Sequence, residues 1–216
     1  WVMPGAPRIA YPGAVYHVVD RGNDRADVFF DDDDRRCYLG LLSKAVVGFR
    51  LRVYAYALMS NHIHLFLRTM LPNISEVMYH VNIAYAHYFN KRHRKTGHLF
   101  ESRFKSKLVQ ADRYFLGMLR YVHMNPVKAG MAARPEEYAW SSHRAYLGDT
   151  DSVVSDPKEA LLLFSDDLER ARAAYLDFLG QPIPEKEWEL LNKERNGILG
   201  DAVFRNSLKK AAGALA

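Results

Sequence analysis

His62 and His64 are separated by one residue, and Tyr121 and Asn125 by three. On a β-strand alternate side chains point to the same side, so two imidazoles at i and i+2 can converge on one cation. On a helix residues four apart share a face, so a phenol and an amide can cover the same ion. Together these side chains could supply a divalent metal site and an oxygen nucleophile for cutting a phosphodiester. Two imidazoles alone make a weak site and need a third oxygen or nitrogen ligand, for which the Asn125 side-chain oxygen is a candidate. A phenol, with a pKa of about 10, is a poor nucleophile at neutral pH. A neighbouring divalent cation can lower that pKa and polarise the scissile phosphate. Each feature also has a plainer reading. Buried histidines are often simply hydrogen-bonded, and Tyr121, one of thirteen tyrosines, can be a core aromatic. Tyr114 lies seven residues before Tyr121 on nearly the same helical face, as a second candidate nucleophile or as packing.

The elements that must position these residues follow from patterning. Ala14 to Val19 is rich in β-branched and aromatic types and reads as a strand, with Arg21-Gly22-Asn23-Asp24 as a turn. The acidic run Asp31 to Asp34 can cap a helix carrying Tyr38-Leu39, Leu41-Leu42, Val46 and Phe49 at helical spacing. Leu51 to Leu58 alternates partly and reads as a strand. Met59-Ser60-Asn61 is short enough for a hairpin turn. His62 to Arg68 is then a strand with His62, His64, Phe66 and Arg68 on one face. Pro72 to Glu76 opens a long helix through about His93, ended by Thr96-Gly97. Phe104 to Gln110 reads as a fourth strand, and Asp112 caps a helix through Met124 that Pro126 limits. This order predicts an α+β, ferredoxin-like or RRM-like fold, an antiparallel sheet with two helices on one face and the histidines deep within it. The candidate tyrosine sits on a following helix. Gly148-Asp149-Thr150-Asp151 marks a boundary between a body over 8–148 and a small helical C-terminal appendage over 149–216, with helices expected over Pro157 to Leu179 and Pro184 to Lys210.

Composition narrows the class. A chain of 216 residues with 49% hydrophobic and 25% charged residues can bury a sizeable core. Cys37 is the one cysteine and is expected to be a buried thiol; an intrachain disulfide is excluded, which fits a reducing compartment. No apolar stretch is long enough for a membrane span, and Trp1 to Pro12 lacks a signal-peptide core, so a cytoplasmic protein is expected. The net charge is +5. Between Leu71 and Tyr121 nine cations face three acids, whereas from Asp149 onward nine face thirteen. That asymmetry suggests a polyanionic partner, or a solvated basic helix face. Lys91, Arg92, Arg94, Lys95, Arg103, Lys105 and Lys107 are the candidate phosphate contacts. Tyr85, Tyr88 and Phe89 could stack on bases, although their helical spacing favours core packing. His98 and His123 could contact phosphate.

Pro12-Gly13-Ala14-Val15-Tyr16-His17-Val18, Met59-Ser60-Asn61-His62-Ile63-His64-Leu65, Thr96-Gly97-His98-Leu99-Phe100, Arg103-Phe104-Lys105, Arg120-Tyr121-Val122-His123-Met124-Asn125-Pro126 and Trp140-Ser141-Ser142-His143 occur in this order. Over roughly residues 8 to 148 the set resembles the REP-associated tyrosine transposases, within the HUH single-tyrosine transposase superfamily of insertion-sequence enzymes. The resemblance implies Tyr121 as nucleophile and His62 and His64 as ligands of Mg²⁺ or Mn²⁺. Asn125 matches a position where related transposases carry a glutamine ligand, one methylene longer. Glu101 stands where the family commonly has glutamine, and could join the metal site or alter a DNA contact. The implied substrate is single-stranded DNA with a REP-like hairpin, cut through a 5′-phosphotyrosine intermediate. The resemblance favours a monomer over a dimer.

Two other readings share these features. An HUH nickase of a replication or transfer system would use the same site but often carries a helicase or longer domains. A non-catalytic RRM-like module would place aromatics on its sheet for stacking, where this strand places histidines.

Overall fold

Strand parity builds the frame. The computed structural model describes residues 8–149, 154–192 and 197–213. Along β1 (Ala14–Arg21), Tyr16 and Val18 enter one core cluster with Ile63, Leu65 and Leu67, whereas Val15 joins Phe66 and Val109 in a second. The sheet therefore has two buried faces. Helix α1 (Asp32–Gly48) starts at Asp31, whose carboxylate accepts from the backbone N–H groups of Asp33 and Asp34 at 3.0 and 3.1 Å. Helix α2 (Ile74–His93) ends as Arg94 turns the chain with φ 52°. Tyr38 and Leu42 of α1 and Val77, Val81 and Tyr85 of α2 fill the first cluster. Tyr85 and Phe89 are thus core residues, as their spacing favours.

Strands β2 (Leu51–Leu58) and β3 (His62–Thr69) form the expected hairpin. A register shift between Val53 and Ala55 explains the incomplete alternation of β2. It reverses parity, so Leu51, Val53, Tyr56 and Leu58 share the first core while Tyr54, Ala55 and Ala57 enter the second. Strand β4 (Lys105–Val109) leads into α3 (Ala111–Lys128), which covers the second face. The sheet order is β2-β3-β1-β4-β5, antiparallel through β4. The first four strands give the ferredoxin-like layout, and β3 is an interior strand.

Helix α3 runs past Pro126, where an end was expected. The proline falls in the last turn, so one backbone donor is lost rather than a long ladder. The Asn125 side-chain nitrogen adds a donor to this turn, reaching the Tyr121 carbonyl at 2.7 Å. Cys37 is only half-buried.

The C-terminal part contains α4 (His143–Tyr146), α5 (Lys158–Leu161), α6 (Leu168–Gly180), α7 (Glu185–Asn192), β5 (Gly197–Leu199) and α8 (Ala202–Gly213). Part of the expected boundary, Thr150-Asp151, and the stretch 193–196 within the second expected helix lie outside the described residues. The tail is not wholly helical: β5 pairs in parallel with β4 at the sheet edge. A three-residue Gly-Ile-Leu strand is too short to betray itself by alternation, and its partner lies about ninety residues earlier. Ala171, Tyr175, Leu179, Trp188 and Leu191 share one core with Phe115, Met118, Leu119 and Val122 of α3. Among the described residues no helix is long and apolar enough to cross a membrane.

Candidate active site

The site lies on the second face of the sheet. In the β1–β3 register Val19 stands opposite His64, and His17 lies one pair further along on the same face. In the β1–β4 register His17 stands opposite Lys107. His62 and His64 stay neighbours, with ring centroids 4.9 Å apart. Their Nδ1 atoms are engaged: His62 with the Asn61 side-chain oxygen at 2.7 Å, His64 with His17 Nε2 at 3.0 Å. Neither Nε2 makes a hydrogen bond among the described residues.

Burial sets the protonation of these rings. His64 is 3% exposed. Burial, then the nearby His17 and His62 rings, hold its pKa well below the ordinary imidazole value. Burial, then the Lys107 charge, do the same for His17. Burial and the Arg21 charge lower His62 to about 4. All three rings are neutral at pH 7, the form that can bind a metal.

Helix α3 brings Tyr121 onto this group. Its ring meets His17 and His64 edge-on, with centroids 5.5 and 5.7 Å away. Tyr114, by contrast, has Arg113 beside its ring and packs at the edge of the second core. Asn125 is buried on the same helix, with its side-chain nitrogen spent on the Tyr121 carbonyl. Glu101 accepts from Lys105 at 2.9 Å. Among the described residues no group of three or more His, Cys, Asp or Glu side chains is arranged to hold a metal ion. The residues that would hold one are His62 and His64 through Nε2; Asn125 Oδ1, the third candidate, makes no hydrogen bond among the described residues.

Helix α7 closes the site. The Tyr121 hydroxyl donates to the Asn192 side-chain oxygen at 2.8 Å, and the Trp188 ring lies 4.8 Å from the Tyr121 ring. Lys107 donates to the Leu191 carbonyl. Arg120 and Lys128 of α3 pair with Glu187 and Glu185 of α7 at 3.3 and 3.5 Å. Tyr121 is 1% exposed. The void bounded by His17, Lys105, Lys107, Tyr121 and Asn192 is about 10 Å³, room for no more than a water.

Helix α3 thus sets a buried tyrosine against neutral histidines on one face of a ferredoxin-like sheet. The family model described as "Transposase IS200 like" matches residues 10–125, more than half of the chain. The chain belongs to the IS200-like transposase family. A REP-associated tyrosine transposase, solved bound to a REP hairpin, has the same fold, with a TM-score of 0.59 at 13% identity. The match covers 68% of this chain and 87% of that one. No match is found among curated proteins.

The candidate DNA contacts of this transposase divide by environment. Lys91, Arg94 and Arg103 are exposed and have no ion-pair partner among the described residues. Arg92 is engaged by Asp31, Asp33 and Asp34, and Lys95 lies over the Phe30 ring. Lys107 is 8% exposed and faces the site. It shares no surface with the exposed Arg103, because its ammonium is turned inward to the Leu191 carbonyl of α7. His123 is fully buried between Ser142 and Tyr175, at 2.7 and 2.8 Å, and touches no surface. His98 is exposed.

His17, Trp188 and Asn192 are the site residues that sequence reasoning did not single out. His17 carried one signal, a polar residue on the Val15–Val19 parity of a buried strand. Trp188 and Asn192 carried none, since only the folding of α7 onto α3 brings them there.

Proposed function

We propose that this IS200-like transposase cleaves and rejoins single-stranded DNA bearing hairpins, with Tyr121 as nucleophile and His62 and His64 as the metal-holding pair. The observation that carries this reading is the meeting of Tyr121 with His64 on one sheet face. Their meeting within one chain also supports action as a monomer. The REP hairpin on the structurally similar transposase supports the choice of substrate. When bound, a Mg²⁺ or Mn²⁺ ion supplies charge stabilisation at a phosphate oxygen and favours ionisation of a nearby phenol. Asn125 Oδ1 is the proposed third donor, its amide anchored at the other end by the bond to the Tyr121 carbonyl.

The Tyr121 oxygen forms a bond to phosphorus in line as the bond to the 3′ oxygen breaks. The phenol gives up its proton, and the departing oxygen takes one up as a 3′-OH. The product is a 5′-phosphotyrosine ester. It conserves the energy of the original ester, so a 3′-OH can reverse the step without ATP. A void of about 10 Å³ cannot admit a phosphodiester, so α7 must lift from Tyr121 before the reaction. Lys91, Arg94 and Arg103, exposed and without an ion-pair partner among the described residues, are the proposed phosphate contacts.

Tyr121→Phe keeps the ring and removes the nucleophile. With a hairpin oligonucleotide and Mn²⁺, the wild-type chain is expected to form a covalent adduct on a denaturing gel. The variant should form none while binding the hairpin within about twofold of wild type, because only the reacting atom is lost. Nicking undiminished in the variant would remove Tyr121 from the reaction. A wild-type chain that binds hairpin and never forms an adduct would favour the binding-module reading.

A further inference from the structure

The two histidines of the proposed metal pair are held by different partners, and both partners act on the same atom. The His62 Nδ1 atom lies 2.7 Å from the Asn61 side-chain oxygen. That oxygen only accepts, and its orientation is settled because the Asn61 nitrogen donates to the Arg25 carbonyl at 3.1 Å. His62 must therefore carry its proton on Nδ1, which leaves a lone pair on Nε2. His64 Nδ1 faces His17 Nε2 at 3.0 Å, with the rings stacked 3° from parallel and centroids 5.2 Å apart. A nitrogen-to-nitrogen bond needs one donor and one acceptor. If His64 donates, its Nε2 keeps a lone pair; if His17 donates, that lone pair is gone. His17 Nδ1 is buried without a partner, so no second contact ties His17 to the donor role.

We propose that Asn61 and His17 are positioning residues that hold His62 and His64 with Nε2 as the ligating atom of each. The proposal rests on the metal reading of the histidine pair. Asn61 sits in the hairpin turn directly before β3, so the turn that sets strand register also orients the first ligand. His17 reaches the second ligand diagonally across the β1–β3 ladder. Metal-binding histidines generally donate their other ring nitrogen to such a partner, and losing it weakens metal affinity by about 10- to 100-fold.

The test uses the full chain. Long-range ¹H–¹⁵N spectra of the histidine rings at neutral pH, without metal, report which nitrogen bears the proton. His62 is expected protonated on Nδ1 in the wild type. Mn²⁺ titration followed by electron paramagnetic resonance then compares Asn61→Leu and His17→Phe, which lack an acceptor, with Asn61→Asp and His17→Gln, which retain one. The first two should lose about 10- to 100-fold in Mn²⁺ affinity, and the second two should stay within about threefold of wild type. Asn61→Asp also lacks the donor to Arg25, so its retained affinity separates ring orientation from support of the turn. His62 protonated on Nε2, or full Mn²⁺ affinity in Asn61→Leu and His17→Phe, overturns the proposal while leaving the metal pair intact. Wild-type Mn²⁺ binding that is absent, or unaffected by His62→Ala and His64→Ala, overturns the metal reading and this proposal with it. The tautomer spectrum of the wild type needs no variant to fold.

Discussion

Asn125 shows how one side chain can serve a helix and a site together. Its nitrogen bonds the Tyr121 carbonyl in the turn that Pro126 deprives of a donor. Its oxygen makes no hydrogen bond among the described residues. Asn125→Ala is expected to cost about 1 kcal/mol of stability through the lost bond. It should also weaken Mn²⁺ binding, by less than His64→Ala does, in calorimetric titrations. Unchanged Mn²⁺ affinity would leave Asn125 with the helical role alone. The shared strand face of His62 and His64, and the shared helix face of Tyr121 and Asn125, were legible because strand and helix periodicities are local. The service of His17 was not, because β1 and β3 are joined by forty residues, 22–61, and their register is a property of the folded sheet.

At the scale of elements, α7 and α6 are tied down in different ways. Helix α7 covers Tyr121 through Trp188, Asn192 and the two ion pairs to α3. Trp188→Ala removes the largest apolar contact, and the equivalent loss in a core costs about 3–5 kcal/mol. Spent on a peripheral helix, that loss goes into opening, where each ~1.4 kcal/mol is tenfold. Hairpin cleavage should accelerate by on the order of tenfold or more, and Tyr121 should become reactive toward a phenol-nitrating reagent. An unchanged rate and an unreactive Tyr121 would mean that α7 is not the barrier. Helix α6 is held by a buried relay in which the Tyr175 hydroxyl meets His123 Nδ1 at 2.8 Å and His143 Nδ1 at 2.7 Å. Tyr175→Phe strands two imidazole nitrogens, so a loss of about 2–4 kcal/mol is expected in urea unfolding. A loss below ~0.5 kcal/mol would show the relay to be incidental.

For the whole molecule, burial of neutral histidines makes stability depend on pH. Five of the nine histidines (His17, His62, His64, His123 and His143) have pKa values lowered by burial. Such a group binds its proton more readily in the unfolded chain. Stability is therefore present above the unfolded value and is lost as pH falls from about 6.5 toward the folded value. For His62 and His143, each lowered to about 4, the loss is on the order of 1–3 kcal/mol apiece. Asp20, raised by burial to about 7, acts in the opposite sense, being protonated in the folded chain at pH values where the unfolded carboxyl has ionised. The histidines outnumber it, so the urea midpoint should fall between pH 7 and pH 5; a midpoint that rises on acidification would contradict this. Charge is organised at the same scale. The acid-rich tail lies against the basic body through Arg120–Glu187, Lys128–Glu185, Arg113–Asp201 and the Arg52–Glu159–Arg68 bridge.

The sequence by itself determined the order of strands and helices through β4 and α3, the shared face of His62 and His64, and the family. Each depends on spacing within one element or on motifs in chain order, which survive without knowledge of contacts. Only the tertiary structure decided that His17 partners His64, that Lys107 points inward, and that α7 seals Tyr121. It also decided that a three-residue strand from the tail completes the sheet. These depend on which segments meet across long stretches of chain, and burial of apolar surface, being non-directional, leaves no local pattern to read.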